Sequence, residues 1–338
     1  MSIAAVLIMR NEARCIARCL TSLAPHVDRL FCLDTGSTDD TIAIARAHGA
    51  TVEQMVWPDD FSRARNHALA LADADWNLIV DADEWIAQGG EHIRAFCKGA
   101  PRLGRVCVLS DDDSAGMLQA SATPQSRSWI TRLLPRGVRF SGRVHEQAIS
   151  DLPREKLDVQ IGHDGYLAAH MVAKQGRNRE LLLAELAAHP GDAYLQFQLG
   201  RDAEGADHHG EACRWYEQAL AGAAPDVPWR HDLVVRYLHC LGQSGRRPEA
   251  LIMAEAQMAN FPTSPDLFFV IGNLCLDTAG HEPARALDHW LPLAVTAWQR
   301  CLEIGERPDL EGSVAGRGSH LAQHNLDVLL GGMQHLPG

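Results

Sequence analysis

Between residues 3 and 80, short β-prone apolar runs alternate with helical ones, and this alternation is the strongest constraint on the fold. In order they read "IAAVLIM", "EARCIARCLTSL", "RLFCLD", "DDTIAIARAHG", "TVEQMVW", "SRARNHALALADA" and "WNLIVD". Strand and helix alternating through such short connections predict a mainly parallel sheet covered by helices. Sheets of that kind bind ligands beyond the carboxyl ends of their strands. Polar residues fall at those ends: Asn11 and Glu12 after the first strand, Asp34 after the second, Asp59 and Asp60 after the third, Asp81 and Asp83 after the fourth. One pocket is expected to collect them.

The texture changes near residue 176, after which the sequence reads as helix punctuated by Pro and Gly. Leu199, Gly200, Ala203, Ala212, Tyr216, Ala219 and Pro225 follow the small and large spacing of a tetratricopeptide helix pair. A related pattern returns with Gly245, Ala250, Ala254 and Pro262, and a looser one starts at Ile271 and Gly272. Each unit alone leaves an apolar face uncovered, so several must stack. The expected organisation is an α/β domain over residues 1–175 and an all-α repeat domain over 176–338.

Composition narrows the partners. With 31 basic against 43 acidic residues, the net charge of −12 argues against a general nucleic-acid binder. Nine cysteines with no CxxC pair form neither a disulfide framework nor a zinc pattern, and read as reduced thiols packed as small hydrophobes. No charged-then-apolar leader opens the chain, and no apolar run approaches the ~18 residues of a membrane span. The expectation is a cytoplasmic protein with no integral membrane segment.

The chemistry concentrates in "NLIVDADEW", residues 77 to 85. Asp81, Asp83 and Glu84 follow an apolar run, and carboxylates crowded in this way need a positive partner. A DxD at a strand end holds a divalent cation well, because hard cations prefer oxygen ligands and a diphosphate can complete the shell. The competing explanation is a capped turn that opens a helix. In "LDTGSTDDT", an ordinary strand, turn and helix account for Gly36 to Asp39 but leave Asp34 unused, and a carboxylate there can accept from a nucleobase or a ribose hydroxyl. In "WPDDFSRARNHAL", Arg63 and Arg65 project in different directions, so one is expected to reach a ligand while the other caps or pairs. An arginine suits a diphosphate through its bidentate fork.

Together "LIMRNE", "VDRLFCLDTGSTDDTIAIARAHGA", "WPDDFSRARNHAL", "DWNLIVDADEW", "RLLPRGVRFSGRVHEQ" and "HDGY" resemble the family 2 glycosyltransferases of the Rossmann-like GT-A fold. The closer resemblance is to the bacterial subgroup whose catalytic domain is followed by tetratricopeptide-like helices, which includes S-glycosyltransferases of glycopeptide bacteriocins. The resemblance implies that Asn11 and Glu12 line a nucleotide-sugar site and that Asp34 contacts the base or ribose, most simply of a UDP-sugar. It implies Asp83 as direct ligand of Mn²⁺ or Mg²⁺, Asp81 turned toward the ribose or the metal, and His163 completing the metal or diphosphate shell. It assigns the base of an inverting transfer to Glu146 of "GRVHEQ", with His145 as second candidate.

Other features stay open at this level. Arg132, Arg136, Arg139 and Arg143 form a basic run that can meet phosphates, an acceptor or only solvent. The acidic "SDDDS" at 110 to 114 reads as a solvated loop, and His208 and His209 lack partners at ligand spacing. Ala13 stands where the subgroup usually has a second acid. The repeats are expected to present a peptide, protein or glycan acceptor, or to mediate self-association as a homodimer. A lipopolysaccharide transferase, a nucleotidyltransferase and a helical adaptor with a relic first domain are the rival readings. The lack of glycine in "VLIMRNEARC" disfavours the nucleotidyltransferase, and the retained carboxylates disfavour the relic.

Overall fold

The computed structural model describes residues 1–111, 125–163 and 168–333. The chain divides into two compact units: Met1–Asp111 with Ser128–Glu185, and Asp112–Arg127 with Leu186–Gly338. The expected boundary after residue 175 falls within helix Ala168–Ala188, and the division between the units lies further along the same helix.

In the first unit the expected alternation is present as β1 (Ile3–Met9), α1 (Ile16–Leu23), β2 (Arg29–Asp34), α2 (Thr41–Ala47), β3 (Thr51–Gln54), α3 (Phe61–Ala72) and β4 (Trp76–Ile79). It continues as β5 (Glu84–Gln88), α4 (His92–Phe96), β6 (Leu103–Asp111), β7 (Gln125–Pro135), β8 (Arg139–Ser141), β9 (Gln147–Ile149), β10 (Arg154–His163) and α5 (Ala168–Ala188). The sheet order is β3-β2-β1-β4-β7-β6-β10-β5. β1 pairs parallel with β2 and β4, and β2 with β3, whereas β4–β7 and β10–β5 are antiparallel. β10 also pairs parallel with β6, so the sheet is mixed, with the parallel run β3-β2-β1-β4 at the end read most clearly from sequence.

Side chains alternate across a pleated strand, and β1 shows how this builds two cores. Ile3, Ala5, Leu7 and Met9 join one apolar cluster, and Ala4 and Val6 join the other. α1 covers the first face with Ile16, Cys19, Leu20 and Leu23. α3 covers the second with Ala64, Ala68 and Ala72, a four-residue alanine spacing that lets the helix lie close to the strands. Asp60 caps α3 by accepting from the Arg63 amide at 2.9 Å. All nine cysteines are buried and unpaired with one another, as reduced packing residues.

The second unit is helical: α6 (Ala193–Gly205), α7 (His209–Gly222), α8 (Arg230–Gln243), α9 (Arg247–Met258), α10 (Pro265–His281) and the later helices Leu291–Ile304 and His320–Met333. The small residues of the repeat pattern are contact points. A Cβ on Gly200 would lie 2.3 Å from the Tyr216 ring, and one on Gly272 would lie 2.4 Å from Nε1 of Trp298. Tyr216 and Trp298 are both fully buried, so these glycines let large rings seat against a neighbouring helix backbone.

Candidate active site

β4 ends in an apolar run whose last buried residues are Ile79 and Val80, and the chain then turns through Asp81 to Asp83 into β5. The turn places Asp81 and Glu84 against two arginines from distant segments, one of which also binds Glu146. Arg65 of α3 donates Nε to Glu146 Oε1 at 2.5 Å and Nη2 to Asp81 Oδ1 at 3.3 Å. Arg132 of β7 donates Nη2 to Asp81 Oδ2 at 2.9 Å and to Glu84 Oε1 at 2.5 Å. Glu84 Oε2 accepts the Asp81 amide at 2.8 Å. On the other side of the turn, Asp83 Oδ2 lies 3.6 Å from His163 Nε2.

Strand pairing delivers these groups. His163 is in register with Glu84 across the antiparallel β10–β5 pair, which puts its ring beside Asp83. Leu78 faces Leu133 across β4–β7, so Arg132 lies one step further toward the carboxyl end of β4. Arg65 is aimed inward because α3 packs Ala64 and Ala68 on the sheet, while Arg63 is exposed.

The electrostatics follow from burial among opposite charges. Packed neighbours strip part of the water from Asp81 and work against its ionisation, although 44% of the side chain stays exposed; Arg132 and Arg65 outweigh this and hold the carboxyl well below its usual range. Burial pushes Glu84 up to about 7, against the pull of Arg132. Burial also opposes the charge on Arg65, Arg132 and His163, yet each is shifted up, the arginines by their acids and His163 by its bond to Asp83. Among the described residues, the buried Arg65 Nη1 and Arg132 Nε have no hydrogen-bond partner. Two buried guanidinium N–H groups beside the cluster are what an additional oxyanion or water would satisfy.

The other expected residues fall into a second group. The loops after β1 and β2 are stitched together: Asn11 Oδ1 accepts from the Thr38 amide at 2.7 Å, and the Glu12 amide donates to Thr41 Oγ1 at 2.7 Å. Asp34 is fully buried and accepts from the Gly36 and Ser37 amides at 3.0 Å, so its carboxylate shapes its own turn. His145 sits at φ 51 with an exposed side chain, next to the inward Glu146. The basic run disperses: Arg132 enters the cluster, Arg136 pairs with Asp73 and Asp75, and Arg143 faces Glu185 at 3.4 Å. β6 extends through Asp111, and the rest of "SDDDS" lies outside the described residues, as do Asp164 to Tyr166 of "HDGY".

Glu84 enters the sequence reading only as one of three crowded carboxylates, and Arg132 only as part of a basic run open to phosphates, an acceptor or solvent; their pairing with each other is set by the fold. The available signal was an arginine within the apolar strand "SWITRLLP", since a buried cation requires acids near it.

A divalent cation can be tested against this arrangement. Among the described residues, no three His, Cys, Asp or Glu side chains gather as a ready-made cage. Asp83 and His163 approach each other as adjacent ligands of one cation would, and a hard cation that binds with a diphosphate typically needs only one or two protein ligands. The pair fits such an ion, with phosphate oxygens or water supplying the remaining shell.

The class of the domain follows from its sequence profile. Residues 4–115 match the family described as Glycosyl transferase family 2, so the amino-terminal part carries a domain of that family. The chain is 35% identical over 244 residues, 68% of its length, to a TPR repeat-containing protein of Synechococcus elongatus. It is 26% identical over 245 residues to the SPbeta prophage-derived glycosyltransferase SunS of Bacillus subtilis, 69% of this chain. It spans 59% and 57% of the lengths of those two relatives. An uncharacterized glycosyltransferase of Rickettsia felis is 40% identical over 86 residues, 25% of this chain and 30% of that one. Among solved structures, glucosyl-3-phosphoglycerate synthase of Mycobacterium tuberculosis with Mn²⁺, uridine diphosphate and glucosyl-3-phosphoglycerate is 27% identical over 32% of this chain and 44% of that one. Its TM-score of 0.28 lends the likeness no weight. No described helix is long and apolar enough to cross a membrane.

Proposed function

We propose that the amino-terminal unit transfers a sugar, with inversion, from a UDP-sugar to a nucleophilic side chain of a peptide or protein. The observation that carries this reading is the convergence of Asp81, Asp83, Glu84, Glu146, Arg65, Arg132 and His163 at the carboxyl end of β4, in a domain of the family 2 glycosyltransferases. A site for two phosphates and a cation needs both signs of charge in one place, and this cluster has both.

Asp83 and His163 would hold Mn²⁺ or Mg²⁺, whose chemistry is to neutralise charge on the departing diphosphate. Arg65 and Arg132 offer their unpartnered N–H groups to phosphate oxygens, and Asp81 accepts from the ribose. Asn11, Glu12 and Asp34 shape the loops that border the nucleotide. Glu146 takes the proton of the acceptor O–H, S–H or N–H as that atom bonds to the anomeric carbon. The anomeric bond to the diphosphate breaks in the same step, and its electron pair leaves with UDP. The helical repeats would present the acceptor, because stacked hairpins generate extended concave surfaces.

A thermal-shift panel of nucleotide sugars, with and without Mn²⁺, tests the proposal on the wild type and on Asp83→Ala. Ligand at about a hundred times its Kd stabilises by about 2.7 kcal/mol. The expected result is a metal-dependent shift with one UDP-sugar that disappears in the variant. If no nucleotide sugar shifts the wild type under any metal condition, the transferase reading is wrong.

A further inference from the structure

Three hydrogen bonds close a ring around Asp81. Its amide donates to Glu84 Oε2 at 2.8 Å, Arg132 Nη2 donates to Glu84 Oε1 at 2.5 Å, and the same nitrogen donates to Asp81 Oδ2 at 2.9 Å. Both the backbone and the carboxylate of Asp81 are thereby held. Glu84 is 3% exposed and Arg132 7%, so the ring is built into the interior beneath the turn. Asp83 lies outside it and faces His163 instead. Two carboxylates one residue apart thus have different neighbours: cations around Asp81, an imidazole beside Asp83.

A buried ion pair adds little net stability over apolar residues of the same size. What this one supplies is orientation. Asp81 has each carboxylate oxygen on a different arginine, Oδ1 on Arg65 and Oδ2 on Arg132, which discourages it from rotating toward a cation held at Asp83.

We infer that Glu84 and Arg132 are positioning residues that hold Asp81 as an acceptor for the nucleoside of the donor and keep it out of the cation's shell, leaving the cation to Asp83 and His163. The inference rests on the donor-site reading above and deepens it. It has a signature that plain loss of structure lacks. Removing the positive charge of Arg132 releases Asp81 Oδ2, leaving only Oδ1 on Arg65, and favours a cation, while the nucleotide loses both a fixed acceptor and a nearby guanidinium. The two affinities move in opposite directions.

The test is calorimetric titration of the full chain with Mn²⁺ alone, and with UDP at saturating Mn²⁺. For Arg132→Met, UDP binding weakens about tenfold or more, while Mn²⁺ alone binds about threefold tighter or more. Arg132→Lys returns both affinities toward wild type, because one nitrogen makes both contacts and an ammonium can replace it. Glu84→Gln keeps the size of the side chain and an acceptor for the Asp81 amide, so it weakens UDP by a smaller factor and gives a folded comparison, checked by its melting curve. The inference is overturned if Mn²⁺ and UDP weaken in parallel, if neither changes, or if the lysine variant behaves like the methionine one. A wild type that binds Mn²⁺ but not UDP refutes the donor-site reading, and the metal affinities alone then decide the role of the ring. Tightening in Arg132→Met upholds the exclusion of Asp81 from the shell, and no change overturns it. A wild type that binds neither refutes both.

Discussion

Replacing Arg65 by methionine keeps the length of the side chain and removes a guanidinium from a position only 6% exposed. Two carboxylates lose a partner, and they do so unequally. The Glu146 side chain is 9% exposed and bonded to Arg65 Nε at 2.5 Å, whereas Asp81 is 44% exposed and keeps Arg132. The cost therefore falls mainly on Glu146. Charges about 4 Å apart at an effective dielectric of about 20 interact by about 4 kcal/mol, and breaking a buried pair by removing one partner typically costs about 3–5 kcal/mol. We expect a loss in that range for the amino-terminal unit, which is about 6–20 °C in melting temperature for a domain of this size. The assay is a double-mutant cycle by thermal melting with Arg65→Met, Glu146→Gln and the double variant. Neutralising Glu146 in the Arg65→Met background should restore more than half of the loss. A single variant within about 1 kcal/mol of wild type, or a coupling below that figure, would refute the claim that Arg65 chiefly compensates a buried Glu146.

Three further outcomes follow from separate features. Burial raises Glu84 from 4.5 to about 7, so the folded state holds an extra proton between those values. Its contribution to stability is full below about 4.5 and is lost as pH rises through about 7, so Glu84→Gln should gain on wild type across that window in pH-dependent urea melts; a constant difference would contradict this. Gly272→Ala forces a methyl to within 2.4 Å of Trp298 Nε1 and should destabilise the helical unit by about 1–3 kcal/mol, a loss relieved by the smaller ring of Trp298→Phe in circular-dichroism melts. Asp60→Ala removes the cap that accepts the Arg63 amide and the Ser62 hydroxyl, and should cost about 1 kcal/mol in chemical denaturation, with Asp60→Asn retaining most of it.

What could be read from the chain before folding was local. The apolar run that forms β1, the helical run that forms α3 and the small residues of the helical hairpins all report on neighbours within one or two turns, and the strand, the helix and the hairpin contacts are all present. The positions of Asp81, Asp83 and Glu146 were legible for the same reason, since they follow or precede recognisable elements. That two arginines would pair with the crowded carboxylates was not. Beside the divalent cation that the sequence pattern assigns to Asp83, the fold brings up two guanidinium groups, one 16 residues before Asp81 and one 51 residues after it. A strand, turn and helix read from sequence leave Asp34 for a base or ribose, and in the fold its carboxylate also accepts from two amides of that turn. Strand order decides these matters. Arg132 meets Asp81 because β7 inserts antiparallel beside β4, and His163 meets Asp83 because β10 runs antiparallel to β5. Sheet register is a long-range property, set by which strands bury their faces together, and no local pattern of residues specifies which distant strand will lie alongside.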